Sequence, residues 1–129
     1  MKAVRKKRVL VVDDEAAIGR IVSIGLRVFG YEVITSGSGK ESLGLVESKK
    51  PDIMLLDVFM PGMDGFEVLR KLRATSNLAV IVFSAHSSYR EEALRLGAND
   101  FIAKPFTPEQ IARKISDVLE SDAQQSYVI

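Results

Sequence analysis

Three aspartates, one serine and one lysine stand where short apolar runs stop. Asp13 and Asp14 follow Val9–Val12, and Asp57 follows Ile53–Leu56. Ser84 follows Leu78–Phe83, and Lys104 follows Phe101–Ala103. If these runs are neighbouring parallel strands, the five residues meet at the carboxyl-terminal rim, where open α/β sheets bind ligands. Three carboxylates gathered within about 5 Å repel by on the order of 3 kcal/mol per pair at an effective dielectric near 20. Lys104 alone does not neutralise them, so the cluster calls for a metal cation. Hard oxygen ligands with room for water suit Mg²⁺, which takes one or two carboxylates plus phosphate oxygens. An aspartate beside Mg²⁺, with an ammonium and a hydroxyl close by, is equipped to accept a phosphoryl group. The positive charges stabilise the equatorial oxygens while the carboxylate attacks in line.

The elements that would hold these residues follow from pattern and punctuation. The five apolar runs are Val9–Val12, Tyr31–Ile34, Ile53–Leu56, Leu78–Phe83 and Phe101–Ala103. The first, third and fourth are nearly continuous and branched, as strands covered on both faces are. Helical spacing fills the gaps: Ile18, Ile21, Val22, Gly25, Val28 and Phe29 suggest one buried face, and Ile111, Ile115, Val118 and Leu119 another. Ser38 with Glu41, and Ser88 with Glu91, have capping-box spacing. Thr107-Pro108-Glu109-Gln110 adds a proline at the first helical position. Asp64 with Glu67 reads as another N-cap, and Gly30 and Gly97 stand where left-handed helix ends are expected. Five strand–helix alternations with short links predict an α/β domain with a parallel sheet and right-handed crossovers.

Composition narrows the function. The chain has 129 residues, suited to one domain, here expected as 1–129 with a core of about 8–120 and a tail or truncated linker over 121–129. Apolar residues make up 47% and charged residues 27%, far from disorder. Eighteen Lys and Arg against 17 Asp and Glu leave a net charge of +1, with no general pull toward nucleic acid or an anionic membrane. The absence of cysteine excludes disulfides, thiolate metal sites and cysteine nucleophiles, and the single His86 excludes histidine clusters. No apolar run reaches a signal-peptide core or a membrane span, so a cytoplasmic location is expected. Lys2, Arg5, Lys6, Lys7 and Arg8 form a basic arm with no interleaved aromatic, which reads as solvated.

The motifs together resemble one family. Val11-Val12-Asp13-Asp14-Glu15, the stretch Leu55 to Gly65 with Asp57, Met60-Pro61 and Asp64-Gly65, Ser84-Ala85, and Asp100-Phe101-Ile102-Ala103-Lys104-Pro105-Phe106 resemble the motifs of a two-component response-regulator receiver domain. The resemblance runs from about Arg8 to Glu120, and four motifs in order make it specific. It implies a flavodoxin-like five-stranded parallel sheet of order 2-1-3-4-5 with five surrounding helices. It implies that Asp57 is the phosphoacceptor, Asp14 a direct Mg²⁺ ligand, and Asp13 a ligand mainly through a metal-bound water. The backbone carbonyl of Phe59 would complete the metal set. Ser84 matches the hydroxyl that contacts the phosphoryl group, Lys104 the phosphate-binding lysine, and Phe101 the aromatic that changes rotamer on activation. The resemblance also implies a cis Lys104–Pro105 peptide, a histidine kinase or phosphotransfer protein as donor, and readout by the face of helix 4, strand 5 and helix 5. The downstream protein is not named by the sequence. With no effector domain, the chain reads as a stand-alone receiver or as a piece of a longer regulator.

Rival readings remain beside these. Asp13 and Asp14 could be ordinary helix-start acids, Phe101 plain core, and Lys104 a solvated side chain. His86 lies near the expected rim as a loop residue. Ser36-Gly37-Ser38-Gly39-Lys40 resembles a phosphate loop, but Ile34 and Glu41 stand where Gly and Ser or Thr are needed. An aspartate-nucleophile phosphatase would need a second aspartate where Phe59 stands. A receiver-like interaction module that never cycles phosphate would lack one of the five rim residues, and all five are present. The short span from Ser84 to Lys104 predicts a short fourth helix or entry loop.

Overall fold

The computed structural model describes residues 5–125, with side chains described through residue 121. Five strands, β1 (Arg8–Val12), β2 (Glu32–Ser36), β3 (Ile53–Asp57), β4 (Ala79–Ser84) and β5 (Asp100–Ala103), alternate with five helices. These are α1 (Ala16–Val28), α2 (Gly39–Lys49), α3 (Gly65–Arg73), α4 (Arg90–Arg95) and α5 (Pro108–Gln125), and a 3-10 turn at Ser87–Tyr89 precedes α4. All strand pairings are parallel, in the order β2-β1-β3-β4-β5. The chain steps from β1 outward to β2 and then back across to β3. The crevice at that reversal opens between the carboxyl ends of β1 and β3.

Alternation along the strands divides the core into two layers. Val9, Val11, Ile53, Leu55, Ile81 and Phe83 face the layer that includes α1 and α5 residues such as Leu26, Ile111 and Ile115. Leu10, Val12, Met54, Leu56, Val80 and Val82 face the layer that includes Val68, Leu69 and Leu72 of α3 and Ala93 of α4. Both faces being covered explains the unbroken apolar runs in the sequence. Each fully buried Leu or Ile contributes roughly 1.5–3 kcal/mol by leaving water.

The α1 face differs from the expected one. Its buried residues are Gly19, Val22, Ser23 and Leu26, whereas Ile21, Ile24, Val28 and Phe29 are exposed. One reason is close approach: a side chain at Gly25 would run into the ring of Pro108. Small residues therefore share the inner positions with Val22 and Leu26, and several large apolar ones point outward.

The punctuation holds at most places. Thr107 and Gln110 form a reciprocal capping box, each accepting the other's backbone N–H at 2.8 and 3.1 Å. Ser38 and Asp64 accept the N–H groups of Glu41 and Glu67. Gly30 and Gly97 have φ of +91° and +104°, the left-handed region that glycine enters freely. Ser88 is a correction: it lies inside the 3-10 turn, and α4 starts after Tyr89 with no side-chain cap. The fourth helix is short, at six residues, as the span from Ser84 to Lys104 predicts. Within the span 121–129, α5 continues through Gln125. Residues 126–129, and Lys2 of the basic arm, lie outside the described residues. Among the described residues, no helix is long and apolar enough to cross a membrane.

Candidate functional site

The rim residues converge as the strand ends require. Asp57 is the last residue of β3 and Ser84 the last of β4; Asp13 follows β1 and Lys104 follows β5. The register pairs Asp57 with Phe83, which sets Ser84 one residue further along the rim. The Lys104 N–H donates to the Ser84 carbonyl at 2.8 Å, which fixes the root of the lysine beside β4. The Lys104–Pro105 peptide is cis, as the resemblance implies.

Ligand oxygens of Asp13, Asp14 and Asp57 all lie within 4.8 Å of one another. Asp13 and Asp57 are buried, and Asp14 is exposed. The Asp13 Oδ1 accepts the Glu15 N–H at 2.9 Å, a local turn that holds this carboxylate at the helix entry. Its Oδ2 is buried and has no hydrogen-bond donor. The nearest positive charge is Lys104, whose Nζ stands 3.6 Å from Asp13 Oδ2 and 3.6 Å from Asp57 Oδ1. The same ammonium lies 4.9 Å from the centroid of the Phe83 ring, whose face attracts a cation.

These surroundings change the acidity of Asp57. Burial disfavours its carboxylate, the Asp13 charge adds to that, and Lys104 opposes both; the pKa is raised to about 6. A buried carboxylate oxygen with no donor costs free energy unless something charged or hydrogen-bonding meets it. Asp13 Oδ2 therefore marks a place that a cation fits. The donor set is oxygen only and partly open to water through Asp14, which suits Mg²⁺.

Ser84 is fully buried, and its Oγ accepts the His86 N–H at 3.1 Å. Phe59 sits two residues past Asp57 on the β3–α3 loop, with its ring half exposed. Its ring meets those of His86 and Tyr89 edge-on. His86 is thus a rim neighbour of the site through Phe59. Phe101 is inside the core, in the same cluster as Val82 and Ala93.

Two features escaped the sequence reading. Gly65 is a steric requirement: a Cβ there would sit 2.2 Å from the Asp57 carbonyl oxygen. The Met-Pro-Gly-Met-Asp-Gly run signals a turn, but not which glycine the backbone of Asp57 crowds. The rings of Phe66 and Tyr89, which join the Phe59 group, have no periodicity that announces them.

A sheet of this order with acidic groups, a lysine and a hydroxyl on its carboxyl-terminal rim defines a signalling receiver. The model of the response regulator receiver domain family matches residues 9–116. The chain belongs to that family, whose members are the receiver domains of two-component signalling. Among curated proteins it is 40% identical over 117 residues to "Probable transcriptional regulator ycf27" of Porphyridium aerugineum, covering 89% of this chain and 49% of that protein. It is 37% identical over 112 residues to the DNA-binding response regulator MtrA of Mycolicibacterium paratuberculosis, covering 85% of this chain and 50% of that protein. The chain thus spans about half the length of the curated relatives it matches. Among solved structures it is similar to the chemotaxis protein CheY4 of Vibrio cholerae, with a TM-score of 0.83 and 31% identity over 88% of this chain and 99% of that one. A CheY-like receiver domain protein of Methanospirillum hungatei gives a TM-score of 0.87 and 29% identity, covering 94% of this chain and 99% of that one.

Proposed function

We infer that this domain is a phosphorylation switch in which Asp57 receives a phosphoryl group from a histidine kinase or a phosphotransfer protein. The observation that carries the reading is the meeting of Asp13, Asp14, Asp57 and Lys104 at one point of the rim, with Asp13 Oδ2 buried and without a donor. Asp13, Asp14, Asp57 and the carbonyl of Phe59 would hold Mg²⁺. When bound, the ion supplies positive charge to the oxygens of the transferring group.

The protein's own residues do the rest. A carboxylate oxygen of Asp57 attacks phosphorus, the acyl phosphate O–P bond forms, and the N–P bond of the donor phosphohistidine breaks. The electron pair stays with the imidazole, which then takes up a proton. Attack requires ionised Asp57, and Lys104 keeps a share of it ionised against the pull of burial. After transfer, Lys104 faces the new phosphoryl oxygens, and the Ser84 hydroxyl is the next donor along the rim. The readout surface is the face formed by α4, β5 and α5. Cytoplasmic location and the absence of direct nucleic-acid contact by this domain accompany the reading.

Beryllofluoride with Mg²⁺ mimics the acyl phosphate and should shift amide resonances around Asp57, Ser84 and Lys104. Acetyl phosphate should add one phosphoryl group by intact mass, and Asp57→Asn should abolish both responses. A wild-type protein that stays silent in both measurements contradicts the reading. Turnover of a phosphomonoester would favour a phosphatase instead, and none is expected because Phe59 offers no general acid.

A further inference from the structure

A lysine ammonium sits at the end of a long flexible stem, and holding it in one place costs rotamer freedom. Lys104 Nζ is 3.6 Å from Asp13 Oδ2 and 3.6 Å from Asp57 Oδ1, too far for a direct hydrogen bond to either. The two carboxylates attract the ammonium without fixing its direction. The Lys104 N–H, bonded to the Ser84 carbonyl at 2.8 Å, fixes the root of the residue and leaves the stem free to turn.

The remaining contact of this ammonium is a ring. Lys104 Nζ lies over the face of Phe83, 4.9 Å from the centroid. The sheet register pairs Phe83 with Asp57 on one side and with Ile102 on the other. The ring thus stands on the strand between the one that ends in Asp57 and the one that leads to Lys104. Phe83 is fully buried, and Phe106 meets it edge-on at 5.9 Å with an interplanar angle of 77°. A ring packed in this way keeps its negative face in one orientation. The Lys104 side chain is only 22% exposed, so water weakens the attraction between cation and ring little.

A ring suits this rim better than an acid or an aliphatic chain would. A carboxylate in its place would add a third buried negative charge beside Asp13 and Asp57. An aliphatic side chain would fill the space and offer the ammonium no attraction. The ring attracts the cation without adding charge, and weakly enough to release it to phosphoryl oxygens. We propose that Phe83 is a positioning residue that holds the Lys104 ammonium between Asp13 and Asp57 for the incoming phosphoryl group. The proposal rests on the reading of Asp57 as phosphoacceptor.

Stepwise fluorination of one ring is the test, because it drains the negative face while nearly keeping the shape. 4-Fluoro-, 3,5-difluoro- and 3,4,5-trifluorophenylalanine are placed at Phe83 alone by codon suppression. With Mg²⁺ present, beryllofluoride affinity and the rate of phosphorylation by acetyl phosphate should fall with each added fluorine, reaching roughly three- to tenfold in the trifluoro protein. The urea midpoint should stay near that of wild type. The same series at Phe106, over whose ring no ammonium lies among the described residues, should leave both readouts unchanged. In the resting protein, the ring current should shift the Lys104 ε-methylene protons upfield, and Phe83→Leu should return them to ordinary lysine values. A flat series at Phe83, an equal loss at Phe106, or an unshifted Lys104 signal in wild type overturns the role of Phe83 alone. A wild type that neither takes up a phosphoryl group nor responds to beryllofluoride overturns the reading of Asp57 and the proposal with it, even where the Lys104 signal is shifted.

Discussion

Lys104 Nζ stands 3.6 Å from Asp57 Oδ1, an ion-pair distance longer than a hydrogen bond. It is equally far from Asp13 Oδ2, so one ammonium serves two buried carboxylates. Its attraction is outweighed at Asp57, where burial and the Asp13 charge raise the pKa to about 6. The rim is therefore short of positive charge, a deficit that a divalent cation would relieve and that a phosphoryl group would deepen without one.

Stability should follow from that shortage. Asp57 binds its proton more tightly when folded, near 6 against an ordinary value of 3.8. Between those values the native state carries the extra proton, so metal-free stability falls as pH rises through this window and stays lower above it. At pH 7.5 in a chelator, Asp57→Asn should be more stable than wild type by on the order of 1–3 kcal/mol in urea unfolding. The gap should close as pH approaches 4. A variant no more stable than wild type at pH 7.5 contradicts the charge shortage.

Mg²⁺ should oppose the same penalty. A cation that binds only the folded protein stabilises it by about 2.7 kcal/mol at a hundred times its Kd. Below pH 6 protons compete for the carboxylates and the gain should shrink. Asp14→Ala should lose more affinity than Asp13→Ala, in keeping with a direct ligand against a water-mediated one. Calorimetric titration of the two variants decides this, and equal losses argue against the division.

What the sequence conveyed depended on how local the cause was. Strands β1, β3 and β4 were legible because burial on both faces writes them as unbroken apolar runs. The rim was legible because each of Asp13, Asp57, Ser84 and Lys104 stands at a strand end, and a parallel sheet brings such ends together. The buried face of α1 was not, because Ser23 is buried with its hydroxyl satisfied by the Gly19 carbonyl and Gly25 lies against Pro108 of α5, which turns the face away from the large apolar residues. The ring cluster was not legible either: Phe59, Phe66, His86 and Tyr89 belong to two loops and a helix start, and only the tertiary fold brings them within 6 Å.

Two capping boxes with the same spacing should differ in energy. Thr107 makes its box with Gln110, so Thr107→Ala should cost about 1 kcal/mol. Ser88 caps nothing, because the 3-10 turn takes its place, and Ser88→Ala should stay within about 0.5 kcal/mol of wild type. Urea midpoints at constant slope compare them directly. A Ser88 cost as large as that of Thr107 would show that α4 begins earlier than described.

Gly65 offers the most direct link between backbone packing and the site. A Cβ at this position would lie 2.2 Å from the Asp57 carbonyl oxygen and 3.0 Å from both the Asp57 carbonyl carbon and the Val58 Cα. All three atoms are backbone, so no rotamer change relieves the clash. The Gly65 N–H also donates to the Val58 carbonyl at 2.9 Å, which pins the start of α3 against the end of β3. Gly65→Ala must therefore push α3 away from the strand that carries Asp57. The expected cost is about 3 kcal/mol in urea unfolding, together with weaker beryllofluoride binding, because the clash reaches the backbone of Asp57 itself. Gly44→Ala is the control. Gly44 lies within α2 with open space around its Cβ position, and there alanine should stabilise by about 0.5–1 kcal/mol through helix propensity. A Gly65→Ala protein with wild-type stability and an unaltered beryllofluoride response would show that α3 and the site are not held together at this contact.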